Sequence, residues 1–310
     1  MFKPTPLLVT IDTECDKTRT WHTSNPMTFH GVTIGIPVIL NPLFKEFGIR
    51  PTYLISNEVM DDSACLNVLD ALSDVELGTH LHGEYVPPAN IDGGIEGTIT
   101  SEMQWEYGYL LEKQKLVTLT EKFRSVFGRK PRSFRAGRFG AGPQTGRALL
   151  ELEYDIDSSV TPHISWESRF GTTNPDFRSC PEFPYHIADD GNLFTQGTSR
   201  LLELPVTIVK LPEAPGQPQW FRPWISGPDA LAAIVEHVVQ SNQNASIPRP
   251  LVMMFHNMEV FPGASPYPQT IADVDSYIGS LQQTFKFASQ FNILPLTMSE
   301  YFDYQGIPGK

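Results

Sequence analysis

The chain has 310 residues, 40% of them hydrophobic and 19% charged, enough apolar content for a sizeable core and too little charge for a disordered chain. A formal net charge of −12 argues against a nucleic-acid partner, whose phosphates such a surface repels. Cys15, Cys65 and Cys180 are too few and too far apart for a disulfide framework. No segment reaches the ~20 apolar residues that span a bilayer. The N-terminus lacks the apolar core and cleavage site of a signal peptide, so the sequence reads as a cytoplasmic protein.

Leu7-Leu8-Val9-Thr10-Ile11 is a short apolar run of the kind buried in parallel sheets. It ends in Asp12-Thr13-Glu14-Cys15-Asp16, three acids in five residues. Barrels of parallel strands carry catalytic groups at such C-terminal strand ends, although a solvated acidic turn has the same composition. After a loop through Trp21 and His22, a helix is predicted over Val38–Phe47, stopped by Gly48. Pro51–Ser56 is the second strand, Ala64–Leu72 a helix and Val75–His82 the third strand. That strand ends in His80-Leu81-His82 and breaks at Gly83 and Pro87-Pro88. Alternate side chains of an extended chain share a face, so His80 and His82 project together where strand gives way to loop. Two neutral imidazoles side by side suit a divalent metal. Two unrelated histidines, one buried and one solvated, are the competing reading.

The polar stretch Asn90–Thr100 reads as a loop over the site, and Ser101–Phe127 is the longest helical pattern, with Leu116, Leu119, Phe123 and Phe127 at helical spacing before Gly128. A fourth strand, Ser133–Gly137, runs into Arg138-Phe139-Gly140-Ala141-Gly142. A helix near Thr145–Glu153 and a strand over Tyr154–Asp157 follow, then a polar, aromatic-rich insertion from Pro162 to Arg200. Leu201–Val209 is strand-like, and a helix with proline near its first turn runs from Ser226 to Val239. Leu251–His256 is an apolar strand ending in histidine. Thr270–Asp273 has the pattern of a capping box opening the last helix, with Val274, Tyr277, Leu281, Phe285 and Ala288 on one face. Ile293–Leu296 is a closing strand. The alternation predicts an α/β fold with a parallel sheet. Neither a Gly-x-Gly-x-x-Gly nor a Walker pattern opens a helix, so nothing favours a nucleotide fold. Without repeats or linkers, residues 1–310 read as one domain with loop insertions at about 83–100, 162–200 and 210–227.

Ionisable groups therefore gather at predicted strand ends: Asp12 and Glu14, His80 and His82, Arg135 and Arg138, His256, and Asp157. One acid and two histidines leave a zinc site with an open position. A second acid can serve as general base and a further histidine as general acid, while an arginine near the base holds it ionised.

In order and context these residues resemble the polysaccharide deacetylase family, the NodB-homology domains of carbohydrate esterase family 4. Thr10-Ile11-Asp12-Thr13-Glu14 lies where that family carries its first motif, and Glu76-Leu77-Gly78-Thr79-His80 matches the second. Phe134–Gly140 matches the arginine-containing third, Asp157-Ser158-Ser159 the fourth, and Leu251–His256 the fifth. Two positions depart: the family's second aspartate is Thr13 here, and the place of its second histidine holds Glu84. Glu14 and His82 are the expected substitutes, with Glu84 as the fallback ligand. The resemblance spans almost the whole chain and implies a distorted (β/α)7 barrel of the NodB-homology type. It implies a carbohydrate N-deacetylase using Zn2+, or another divalent metal, on an N-acetylated sugar of a glycan or glycan precursor, lipid-linked ones included. In that scheme Glu14, His80 and His82 hold the metal and Asp12 is the base, kept ionised by Arg135. His256, oriented by Asp157, is the acid. Glu84, Arg138, Trp220 and Tyr267 are the substrate-binding candidates, and Phe221 and Trp224 are further rings able to stack on a sugar or pack in the core. Another amide or ester hydrolase, or a catalytically silent glycan-binding protein, are the alternatives.

Overall fold

The computed structural model describes residues 3–88, 103–166, 175–214 and 216–305. In chain order the strands are β1 (Thr5–Thr13), β2 (Thr52–Ile55), β3 (Glu76–Leu81), β4 (Ser133–Ala136), β5 (Ile156–Asp157) and β6 (Tyr185–His186). They continue with β7 (Leu202–Glu203), β8 (Ile208–Val209), β9 (Gln219–Trp220), β10 (Leu251–His256) and β11 (Ile293–Pro295). The α-helices are α1 (Asn41–Phe47), α2 (Ser63–Asp70), α3 (Gly108–Phe127), α4 (Thr145–Glu151), α5 (Pro228–Ser241), α6 (Ile271–Ala288) and α7 (Met298–Gln305). The chain divides into two compact units, Met1–Glu76 with Thr207–Lys310, and Leu77–Val206. No helix among the described residues is long and apolar enough to cross a membrane.

In the first unit β1 lies between β10 and β2, parallel to both, and β11 pairs with its start. Every residue of β1 is buried, as its continuous apolar run requires when both faces of a parallel strand are covered. The register sets Asp12 opposite His256, so two strands deliver an acid and an imidazole to the same level. The expected helix before Gly48 begins earlier than its sequence pattern, with a π-helical segment Gly31–Leu40 merging into α1. Its start is capped from a distance: the Asp16 carboxylate accepts from the backbone N–H groups of His30, at 2.7 Å, and Gly31, at 2.9 Å. A Cβ on Gly31 would lie 2.5 Å from Met258 Cα, so only glycine lets this segment pack against the 3-10 turn Asn257–Val260 that follows β10. The Thr270–Asp273 capping box forms, and α6 buries Val274, Tyr277, Leu281, Phe285 and Ala288 as its spacing predicts.

In the second unit β3, β4, β5 and β7 run parallel in that order, and β6 pairs antiparallel with β7. Helix α3 buries Leu116, Leu119 and Phe123 but starts at Gly108 rather than Ser101; Gly108 sits at φ 68°, where the chain turns out of a preceding 3-10 turn. The expected strand Leu201–Val209 is two short strands, because Pro205 between them has no N–H to give to a ladder. The loop Asn90–Thr100 lies outside the described residues.

Candidate active site

The first unit carries candidate site residues at the ends of β1 and β10. Asp12 and Glu14 are both buried, at 2% exposure. His256 Nε2 stands 4.0 Å from Asp12 Oδ2 and 3.7 Å from Glu14 Oε1. The other Glu14 oxygen is paired with the buried Lys17 ammonium at 3.1 Å. Asn257, the residue after β10, locks the Glu14 backbone by accepting from its N–H at 2.8 Å and donating to its carbonyl at 3.1 Å. On its far side, His256 Nδ1 lies 2.7 Å from Glu259 Oε1. Glu259 is fully buried and also accepts from Arg222 Nη2, at 2.8 Å, and Tyr277 Oη, at 3.2 Å. Burial alone would raise the Glu259 carboxyl, but the Arg222 charge and the His256 contact outweigh it and hold the group below its ordinary value. Beside His256 stands an aromatic corner. The Trp21 ring is 5.0 Å from the imidazole and edge-on to Tyr267 at 5.5 Å, and Trp224 stacks on Tyr267 at 5.6 Å.

The second unit carries its own candidate residues on β3 and β4. His80 and His82 project from alternate positions with ring centroids 4.9 Å apart, as the extended chain predicts. His80 Nδ1 is 2.9 Å from the Arg135 carbonyl, which can only accept, so Nδ1 carries the proton and Nε2 keeps its lone pair. His82 Nδ1 faces Arg138 Nη1 at 3.0 Å and Glu84 Oε1 at 3.4 Å. Arg138 also donates to Glu84 at 2.7 Å. Burial would raise the Glu84 carboxyl, yet the attraction and hydrogen bond of His82, with the Arg138 charge, bring it down to about 2. Arg138 and Phe139 both adopt left-handed backbone, at φ 54° and 53°, unusual for side-chain-bearing residues and costing of order 1–3 kcal/mol each. That turn passes so close to β3 that a Cβ on Gly137 would meet the Leu81 carbonyl at 2.7 Å and His82 Nε2 at 2.9 Å. The Arg135 guanidinium is fully buried and donates to the Ser158 carbonyl and hydroxyl, at 2.8 and 2.9 Å.

Two expected roles change. Asp157 was expected to orient His256, but the partner of His256 Nδ1 is Glu259, three residues along its own turn. Asp157 instead accepts from the Ser159 hydroxyl at 2.7 Å and is level with Glu203 in the β5–β7 register. Both acids are fully buried; desolvation raises both, and the neighbouring Asp157 charge helps push Glu203 well above its ordinary value. Trp220, expected to bind substrate, is buried in the β8–β9 ribbon opposite Ile208, and Phe221 is fully buried. Trp21 stands beside His256, and Tyr267 lies edge-on to Trp21. Glu84 and Arg138 hold His82 and each other. Glu259, Arg222, Lys17 and Glu203 were not singled out from the sequence. Glu259 had a signal in an acid interrupting the apolar run Met258–Phe261; the other three have partners that only the folded chain brings near.

Neither a protein-family model nor a curated protein sequence matches the chain. Solved structures do. One, described as a polysaccharide deacetylase from Mycobacterium smegmatis, is 15% identical with a TM-score of 0.53, over 100% of this chain and 98% of that one. Another, described as a probable polysaccharide deacetylase from Pseudomonas aeruginosa PAO1, is 12% identical with a TM-score of 0.53, over 99% and 92%. Puue allantoinase is 13% identical with a TM-score of 0.55, over 99% and 92%. The chain has the polysaccharide deacetylase fold. That deacetylase fold is the α/β, distorted (β/α)7 barrel of the NodB-homology type expected from the five motifs. At these identities the likeness speaks to the fold alone.

Proposed function

We propose that the protein is a metal-dependent hydrolase that removes N-acetyl groups from an N-acetylated sugar of a glycan or glycan precursor. The observation that carries this reading is the pairing of Asp12 with His256. A carboxylate and an imidazole at the ends of adjacent strands, 4.0 Å apart, supply a general base and a general acid to one amide. Asp12 takes a proton from the attacking water. His256, through Nε2, protonates the nitrogen as the C–N bond breaks, because an amine leaves a tetrahedral centre poorly unless protonated. The aromatic corner of Trp21 and Tyr267 gives a sugar ring a surface beside the acid.

Glu14, His80 and His82, all buried, are the group we assign to Zn2+ or another divalent ion. Their chemistry fits: one carboxylate and two imidazoles, with His80 already held as the tautomer whose Nε2 can ligate. A divalent ion bound there supplies Lewis acidity toward a carbonyl oxygen and lowers the pKa of water. Residues 1–310 act as one catalytic domain in this reading, supported by solved structures that align with both units. A saccharide substrate, lipid-linked forms included, and a cytoplasmic site of action belong to the same proposal. A second reading, hydrolysis of another amide or ester, is favoured by the likeness to an allantoinase. Product analysis separates the two. Acetate and a free amine released together from N-acetylglucosamine oligomers support deacetylation. Ammonia or another acid, from other amides or esters only, overturns it.

A further inference from the structure

His256 needs one particular proton arrangement to act as an acid at Nε2, and the first unit contains a device that sets it. The turn Asn257–Val260 brings Glu259 back toward the ring that precedes it by three residues. A carboxylate 2.7 Å from Nδ1 accepts, so Nδ1 carries a proton. Arg222 Nη2, at 3.3 Å, also faces Nδ1, but it is itself a donor, and the shorter contact to an anion prevails. Glu259 cannot swing away, being held by Arg222 and Tyr277 and fully buried. The turn cannot shift either, because Asn257 binds the Glu14 backbone on one side and Gly31 packs on Met258 on the other. An Arg–Glu pair kept only for stability would have no need of the imidazole. Buried ion pairs contribute little net stability over well-packed apolar residues, so stability alone does not explain this one.

We propose that Glu259 is the positioning residue of the leaving-group acid, accepting the Nδ1 proton of His256 so that the second ring proton, on Nε2, is the one given to the amine, with Nε2 directed at Asp12 and Glu14 and with Arg222 as the countercharge that keeps Glu259 in place. This rests on the deacetylase reading, in which His256 protonates the departing amine. The same local arrangement leaves Asp157 free of that task.

The test is the double variant Arg222→Met/Glu259→Leu, which removes acceptor and countercharge together and leaves no unpaired buried charge to unfold the chain. It is compared with wild type in metal content, in acetate release from an N-acetylglucosamine tetramer, and in the imidazole proton and nitrogen NMR signals of His256, assigned by their loss in His256→Gln. The expected result is a folded variant with wild-type metal content, kcat lower by about 10²-fold and KM within about threefold of wild type. The signal of a proton on Nδ1 should be present in wild type and lost in the variant. A folded, metal-loaded variant with wild-type kcat overturns the inference, as does a wild-type His256 whose Nδ1 is bare. Wild type that releases no acetate tells against the deacetylase reading instead. The NMR comparison then decides the positioning claim by itself, and it does so from the wild-type spectrum if the variant fails to fold.

Discussion

Asp12 and Glu14 stand two residues apart on one strand end, and their different surroundings are the ground for the different tasks we propose for them. Glu14 has one oxygen on Lys17 and a backbone locked by Asn257, the fixed geometry a ligand needs. Asp12 faces His256 across the β1–β10 register. Asp12→Asn should therefore keep its metal while kcat falls by about 10²–10⁴-fold, and Glu14→Gln should lose the metal, measured as bound zinc per chain after gel filtration. The reverse pattern would exchange their roles. Gly137 permits a second test. An added Cβ would press on the Leu81 carbonyl and on His82, so Gly137→Ala should weaken zinc binding by about tenfold or more in a competition titration against a chelator. Unchanged affinity would remove His82 from the ligand set. His80 and His82 were legible because alternation along a strand is a property of sequence alone. The partner of His256 was not, since the turn that swings Glu259 back depends on contacts with Gly31 and with Glu14.

Helix α3 shows how an element supports the site from outside it. Its Lys115 is fully buried and donates to the carbonyls of Gly83, Val86 and Pro88, at 2.9, 2.7 and 2.7 Å, tying down the chain just after His82. Lys115→Met would leave those acceptors unpaired and should cost about 2–4 kcal/mol, read by denaturant unfolding. A loss under about 0.5 kcal/mol would mean that water replaces the ammonium. One turn earlier, Glu112 accepts from Gln104 Nε2, at 2.6 Å, and from Thr145 Oγ1. Burial, only partly offset by those bonds, raises its carboxyl to about 7. The folded state thus holds this proton more tightly than the unfolded chain, so stability falls as pH rises from the ordinary carboxylate range to about 7 and stays lowered above it. Glu112→Gln keeps a neutral acceptor there. The variant should match wild type near pH 5 and exceed it at pH 8 by up to about 3 kcal/mol. Equal stability at both pH values would show that Glu112 is not raised. The pattern of buried positions on α3 and α6 was legible from periodicity. The start of the helix at Gly31 was not, because its cap, Asp16, lies fifteen residues away in sequence.

At the scale of the molecule, alternating strands and helices with ionisable groups at strand ends were enough to anticipate the fold, and solved structures sharing it span the full chain at no more than 15% identity. What such a pattern cannot carry is register and side-chain pairing. Asp12 meets His256, and Asp157 meets Glu203, only because particular strands lie level. We propose that this fold performs metal-dependent removal of acetyl groups from sugar nitrogen. It is tested most directly by measuring acetate released from N-acetylglucosamine oligomers by the purified protein as isolated, after chelation, and after zinc is returned. Acetate and free amine should appear in equal amounts, both should be lost on chelation, and both should recover with about one zinc per chain. No acetate from zinc-loaded protein, or release that chelation leaves unchanged, would contradict it.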